Sequence, residues 1–298
     1  MGFVDRFRKK NTKLAAGSVR TYLSTIKRLG RLAKTKTDYP ETGQWLSQKG
    51  LLAKVKALPL NARKILSASA VKAAATYGTK VPAWERLMNA STAAYEKQRD
   101  SRKKTPREKA LWQDYGKVYK AGLVLWGKVS DNPDKWKAAD LRNAQKAYLL
   151  LLYGKHTPRL LETLKLPGHA GPNQLLKTKK GFRIILRDYK TAKSRGPSEF
   201  KLDAVLTEPT TRFVKGASRL NKHGFVFSNS RGAPLSKSSF SKLLTSATRK
   251  AGLKGVSAQL LRVMKASGAE TQKIIEPAKQ LEQEMGHSSR ENKRYSKK

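Results

Sequence analysis

Phe182-Arg183-Ile184-Ile185-Leu186-Arg187-Asp188-Tyr189 is the stretch that decides the fold. It is short, apolar at its centre and ends in aromatic residues, so it reads as a β-strand within an otherwise helical chain. Thr191 to Gly196 reads as a turn, and Ser198 to Val205 as the partner strand. Phe225-Val226-Phe227 adds a short apolar strand. Around this sheet the pattern is helical. Helices are expected over Leu111 to Val129 and Ala138 to Tyr153. Ser236 caps a helix that runs to about Lys250, with Gly252 suited to its C-terminal end, and Ser257 caps another from Ala258 to Ser267. The expected fold is mainly α with one small antiparallel sheet.

The first hundred residues read as helices only. Over residues 14–34, Val19, Leu23, Ile26 and Leu29 form one apolar stripe, with Arg20, Lys27 and Arg28 off it. Helical pattern continues from Trp45 to Leu66 with a break at Pro59, then from Ala70 to Tyr77 and from Trp84 to Tyr95. A charged run, Glu96 to Lys104, follows. It leads into Thr105-Pro106-Arg107-Glu108, where threonine as N-cap, proline at the first helical position and glutamate at the third form a capping box. The domain boundary falls here, giving residues 1–104 and 105–298, joined by a flexible basic strap.

Composition narrows the function. The chain of 298 residues holds 64 Lys and Arg against 21 Asp and Glu, a formal net charge of +43. Such an excess raises self-repulsion and favours polyanions, so nucleic acid is the first partner to consider. No long apolar run suggests a membrane span, and the N-terminus has no signal-peptide pattern. Cysteine is absent, which removes disulfides, cysteine zinc sites and thiol nucleophiles. His156, His169, His223 and His287 have no helical ligand spacing, and no carboxylate group suggests a two-metal nuclease, so no metal or cofactor is expected.

Four short segments carry the chemistry. In Thr157-Pro158-Arg159-Leu160-Leu161-Glu162, threonine and proline are expected to start a helix, with Arg159 in its first turn and Glu162 on the same face. Tyr189-Lys190-Thr191-Ala192-Lys193 places two lysines between the candidate strands. Gln259-Leu260-Leu261-Arg262 opens a helix. Gly286-His287-Ser288-Ser289 is followed by Tyr295, eight residues after the histidine. Taken singly, each has an ordinary reading: a surface ion pair, a basic turn, a core helix with a solvent-facing arginine, a basic tail.

Taken in order, they resemble the tyrosine site-specific recombinases and integrases. Arg159 with Glu162 is similar to the family's first arginine and its supporting carboxylate. Lys190 matches the hairpin lysine, with Ala192 where glycine is usual and Lys193 as a rival. Leu261 and Arg262 match the pattern histidine, any residue, leucine, arginine, but Gln259 stands in the histidine place. His287 and Tyr295 match the last histidine and the nucleophile, at eight residues where nine is more usual.

The resemblance spans nearly the whole chain. It implies a two-lobed DNA clamp, with residues 1–104 as a helical core-binding domain and 105–298 as the catalytic domain. It implies double-stranded DNA as partner, a homotetramer on DNA, an intracellular location, and neither membrane nor small-molecule substrate. In its chemistry Arg159 and Arg262 grip the non-bridging oxygens of a phosphodiester, and His287 adds a hydrogen bond. Tyr295 attacks phosphorus and leaves a 3′-phosphotyrosyl link, while Lys190 protonates the departing 5′-oxygen. Gln259 can hydrogen-bond the phosphate but cannot take a proton at neutral pH. Only three residues follow Tyr295, so either assembly through a swapped C-terminal segment is not expected or the sequence is a piece of a longer chain. Two other readings fit the same charge: a type IB topoisomerase-like nicking and resealing enzyme, and a non-enzymatic DNA- or RNA-packaging protein.

Overall fold

The computed structural model describes residues 1–48, 50–156, 159, 161–189 and 191–268. The chain is mainly helical with one three-stranded antiparallel sheet. It divides into two units, Met1–Ser101 and Arg102–Lys298, each with its own apolar core.

The first unit holds helices α1 (Phe3–Lys10), α2 (Ala16–Leu32), α3 (Leu51–Lys56), α4 (Leu60–Tyr77) and α5 (Pro82–Asp100). Leu23, Ile26 and Leu29 of the α2 stripe are buried as its spacing requires. They meet α4, whose buried face is built from Leu66, Ala70, Ala73 and Ala74, and small side chains let neighbouring helices come close. The expected break at Pro59 is instead the start of α4: proline sits at the N-cap, where its fixed φ and missing N–H interrupt nothing. The charged run is also shorter than expected as a connector, because Glu96 to Asp100 belong to α5.

The second unit is built around α8 (Ala138–Lys155). Six consecutive residues, Tyr148 to Tyr153, are each at most 2% exposed, so this helix is apolar on every side and must lie at the centre. Around it come α6 (Pro106–Leu111), α7 (Lys117–Trp126), α9 (Ala192–Arg195), α10 (Thr207–Leu220), α11 (Lys237–Lys250) and α12 (Ala258–Ser267). Helices α7, α10 and α11 pack directly on α8. The capping box at Thr105 and Glu108 forms as expected, and so do the serine caps at Ser236 and Ser257.

The expected helix from Leu111 to Val129 is two helices. After Leu111 the chain turns extended at Trp112, and the Asp114 carboxylate accepts from the Gly116 amide at 2.9 Å, a local turn that competes with helix. The sheet is β1 (Asn173–Thr178), β2 (Gly181–Leu186) and β3 (Ser198–Lys201), with β2 central; Asn173 pairs with Leu186, and Arg183 with Lys201. β3 ends early because the Asp203 side chain accepts from the Val205 amide and caps a 3-10 turn. Phe225-Val226-Phe227 is not a sheet strand; it makes a single bridge, Phe225 to Lys165.

The helix expected at Arg159 does not form among the described residues. Leu161 to Leu164 make a turn, and the chain then runs extended, with Val226 N–H donating to the Leu164 carbonyl and Leu166 N–H to that of Gly224. Leu164 and Leu166 are both buried, at the two-residue spacing of extended chain. Long-range pairing thus overrides the local Thr-Pro signal.

The fit of α7 on α8 gives a direct test. A Cβ at Gly154 would lie 2.5 Å from both Cα and Cβ of Tyr119. Gly154→Ala should therefore push the helices apart and cost about 3 kcal/mol in urea unfolding. Gly17→Ala, where nothing lies within 4 Å, is the control and should be neutral or slightly stabilising.

Candidate active site

Tyr153 organises the site. It lies near the C-terminal end of α8 with 1% exposure, and its hydroxyl donates to the Arg159 carbonyl. Tyr115 closes the same helix end by donating to the carbonyls of Tyr153 and His156. The Arg159 backbone is thereby tied to the end of α8.

Arg159 is itself buried, with 8% exposure, and its guanidinium carbon lies 5.2 Å from the centre of the Tyr189 ring. Glu162 is equally buried, in the turn that follows, and its Oε2 has no hydrogen-bond partner among the described residues. Arg262 comes from α12, which Ser257 anchors by accepting from the Leu260 amide at 3.2 Å. One turn back, the Gln259 side-chain oxygen accepts from Arg262 Nη1 at 3.5 Å, a long contact.

Burial pushes the Tyr153 phenol well above the usual tyrosine range; the charge of Arg262 pulls it down and that of Glu162 pushes it up. Tyr153 thus links the segments: its hydroxyl bonds the Arg159 backbone, and the charges of Glu162 and Arg262, from distant parts of the chain, reach its phenol. Lys193 lies exposed on α9, in the loop whose residue Tyr189 contacts Arg159. Lys190, His287 and Tyr295 lie outside the described residues.

Three residues to which the sequence assigns no role contact these segments: Tyr153 and Tyr189 touch Arg159, and Asn173 bonds Thr163, Arg187 and Asp188. Asn173 carried one visible signal, since asparagine is depleted in strands. The other two look like ordinary aromatic residues until their partners are known.

The buried phenols make stability depend on alkali. Tyr148 is also pushed up by burial, with a partly offsetting hydrogen bond to Thr210. A folded value above the unfolded one means the unfolded chain loses its proton first. Stability should hold below pH 10, the ordinary tyrosine value, and fall as pH rises beyond it. Tyr153→Phe should reduce that slope by up to about 1.4 kcal/mol per pH unit, read by denaturant unfolding from pH 9 to 11.5 beside wild type.

Each unit also carries an exposed basic groove. On α11, Ser241, Lys242, Thr245, Arg249 and Lys250 line an open groove. Lys250 and Arg142 also lie close enough to Lys146 to add to the burial that lowers its pKa. In the first unit, Thr21, Ser24, Thr25, Arg28, Arg31 and Ile65 line a groove between α2 and α4. Neither helix contains an acidic residue. No helix among the described residues is long and apolar enough to cross a membrane.

No protein-family model matches the chain, and no curated protein matches it. Among solved structures, the crystal structure of XerA recombinase is similar, at 13% identity and a TM-score of 0.43, over 99% of this chain and 92% of that one.

Proposed function

We propose that the chain is a tyrosine-type DNA strand transferase, which cleaves and rejoins duplex DNA through a 3′-phosphotyrosyl link on Tyr295. The observation that supports this reading is that Tyr153 bonds the Arg159 backbone and also feels the charges of Arg262 and Glu162. A phosphodiester under attack gains negative charge on its non-bridging oxygens. Two guanidiniums offer forked donors that match those oxygens, and a partly dry site makes their charge count for more. Glu162 moderates the mutual repulsion of the two cations.

In this reading Tyr295 attacks phosphorus, its phenol proton passing to a phosphate oxygen or to water, and the 5′-oxygen leaves with a proton from Lys190 or Lys193. The phosphotyrosyl bond conserves the energy of the broken linkage, so rejoining needs no external energy source. His287 adds a hydrogen bond to the phosphate. The grooves on α11 and between α2 and α4 contact the DNA backbone, with residues 1–104 acting as a core-binding domain and residues 105–298 as the catalytic domain. A tetramer on paired sites belongs to the same proposal.

Gln259 sets the pace. It can donate to a phosphate oxygen but takes no proton. Gln259→His should raise the single-turnover cleavage rate, by about tenfold if the imidazole works as a general base. A fall would mean that glutamine is adapted to this site.

The test is covalent trapping. Duplexes of randomised sequence carrying a nick near the cleavage window let the released fragment diffuse away, so an intermediate accumulates. The protein is mixed with this pool, denatured in SDS and examined for a protein–DNA adduct. An adduct supports strand transfer, and sequencing its DNA gives the site. Tight binding with a steep salt dependence and no adduct would favour a packaging role instead.

A further inference from the structure

The loop between β2 and β3 carries both candidate lysines, and it is tied down at several points. Asn173, 3% exposed, commits its whole side-chain amide to this task. Its Oδ1 accepts from the amides of Arg187 and Asp188, each at 3.0 Å. Its Nδ2 donates to the Asp188 carbonyl and to Thr163 Oγ1, each at 2.8 Å. Backbone N–H groups can only donate, so the amide orientation is fixed by its partners. Through Thr163 the start of the loop is bonded to the residue next to Glu162.

Tyr189 continues the tether. Its hydroxyl donates to the Gly196 carbonyl at 2.7 Å, drawing the far end of the loop back, and its own carbonyl accepts from Ala192 at 3.0 Å. Gly196 has φ +71, a conformation that glycine adopts without strain. The Tyr189 ring lies against the Arg159 guanidinium. Such a cation–π contact attracts the charge through the ring's quadrupole and uses no hydrogen-bond donor.

We propose that Tyr189 and Asn173 are positioning residues that seat the Arg159 guanidinium and hold the lysine-bearing loop beside it before any DNA arrives. The catalytic meaning rests on the proposed strand-transfer reading; the tether itself does not. A pre-seated arginine avoids an ordering step during reaction, and small misplacements of such a group cost about a hundredfold in rate.

The experiment compares wild type, Tyr189→Phe and Tyr189→Leu. NMR of the Arg159 side chain reads the ring, because a stacked aromatic shifts its signals upfield. Hydrogen exchange at residues 187–196 reads the loop. Nicked-duplex binding and adduct formation read function. Tyr189→Phe should keep the upfield shift, since the ring remains, while loss of the hydroxyl bond to Gly196 should speed exchange of the loop amides and slow adduct formation by less than about tenfold. Tyr189→Leu should lose the shift and exchange its loop amides faster. Its adduct rate should fall about 10- to 100-fold, with duplex affinity nearly unchanged. An Arg159 signal unmoved in Tyr189→Leu would overturn the proposal. So would fast exchange of the Asp188 and Ala192 amides in wild type, a result that needs no variant to fold. If wild type forms no adduct, strand transfer fails as a reading, while the NMR and exchange results still decide the tether.

Discussion

Tyr295→Phe is expected to form no covalent adduct with nicked duplex DNA, while its affinity for the same duplex changes by less than about twofold. Phenylalanine keeps the ring and removes the only oxygen able to attack phosphorus in the proposed reaction. With 64 lysines and arginines on the chain, one phenol contributes little to the electrostatic grip. The two measurements therefore separate chemistry from binding. Gel analysis after SDS gives the first, and a salt-controlled binding titration the second. An adduct that survives in the variant would move the nucleophile to another residue and leave Tyr295 as an incidental tail tyrosine.

Arg159→Lys and Arg262→Lys should each slow adduct formation by about 10²- to 10³-fold in single turnover. Lysine preserves the charge and abolishes the planar fork, so it keeps long-range attraction but loses paired contact with two oxygens. Arg159→Lys also exchanges a flat guanidinium for a compact ammonium at the Tyr189 ring, and it does so at a buried position. Its loss should be the larger of the two. Arg262 is less buried and lies on a well-capped helix, so Arg262→Lys should fold normally and report on chemistry alone. A lysine variant within tenfold of wild type at either position would mean that charge suffices there, and that the forked geometry is not what the site uses.

What could be read in the sequence was local. The α2 stripe, the central α8 and the caps at Thr105, Ser236 and Ser257 depend on neighbours within a turn or two, and all form. Helix α10 escaped notice although its two faces differ strongly in polarity, because Phe213 is the one large apolar residue among its buried Pro209, Thr210, Phe213, Gly216 and Ala217. Strand β1 escaped because Asn173 opens it and only Leu175 and Leu176 are apolar. The turn after Arg159 was misread as helix because the Thr-Pro start is local, whereas the pairing of residues 164–166 with 224–226 is not.

The candidate site divides in the same way. Arg159, Glu162, Gln259 and Arg262 stood out by residue type and order. The link that Tyr153 makes to Arg159 could not be read from order, since it comes from within a run of apolar residues. Asn173 and Tyr189 matter through partners elsewhere in the unit, and nothing adjacent to them in the chain names those partners.

The central claim is that Tyr295 becomes bonded to the phosphate that Arg159 and Arg262 hold. The most direct measurement is mass spectrometry of the trapped adduct after digestion of protein and DNA. The expected result is a nucleotide 3′-phosphate on the peptide containing Tyr295, with fragmentation placing it on that tyrosine. A nucleotide on any other residue would contradict the account, as would a wild-type protein that binds nicked duplex tightly and yields no modified peptide.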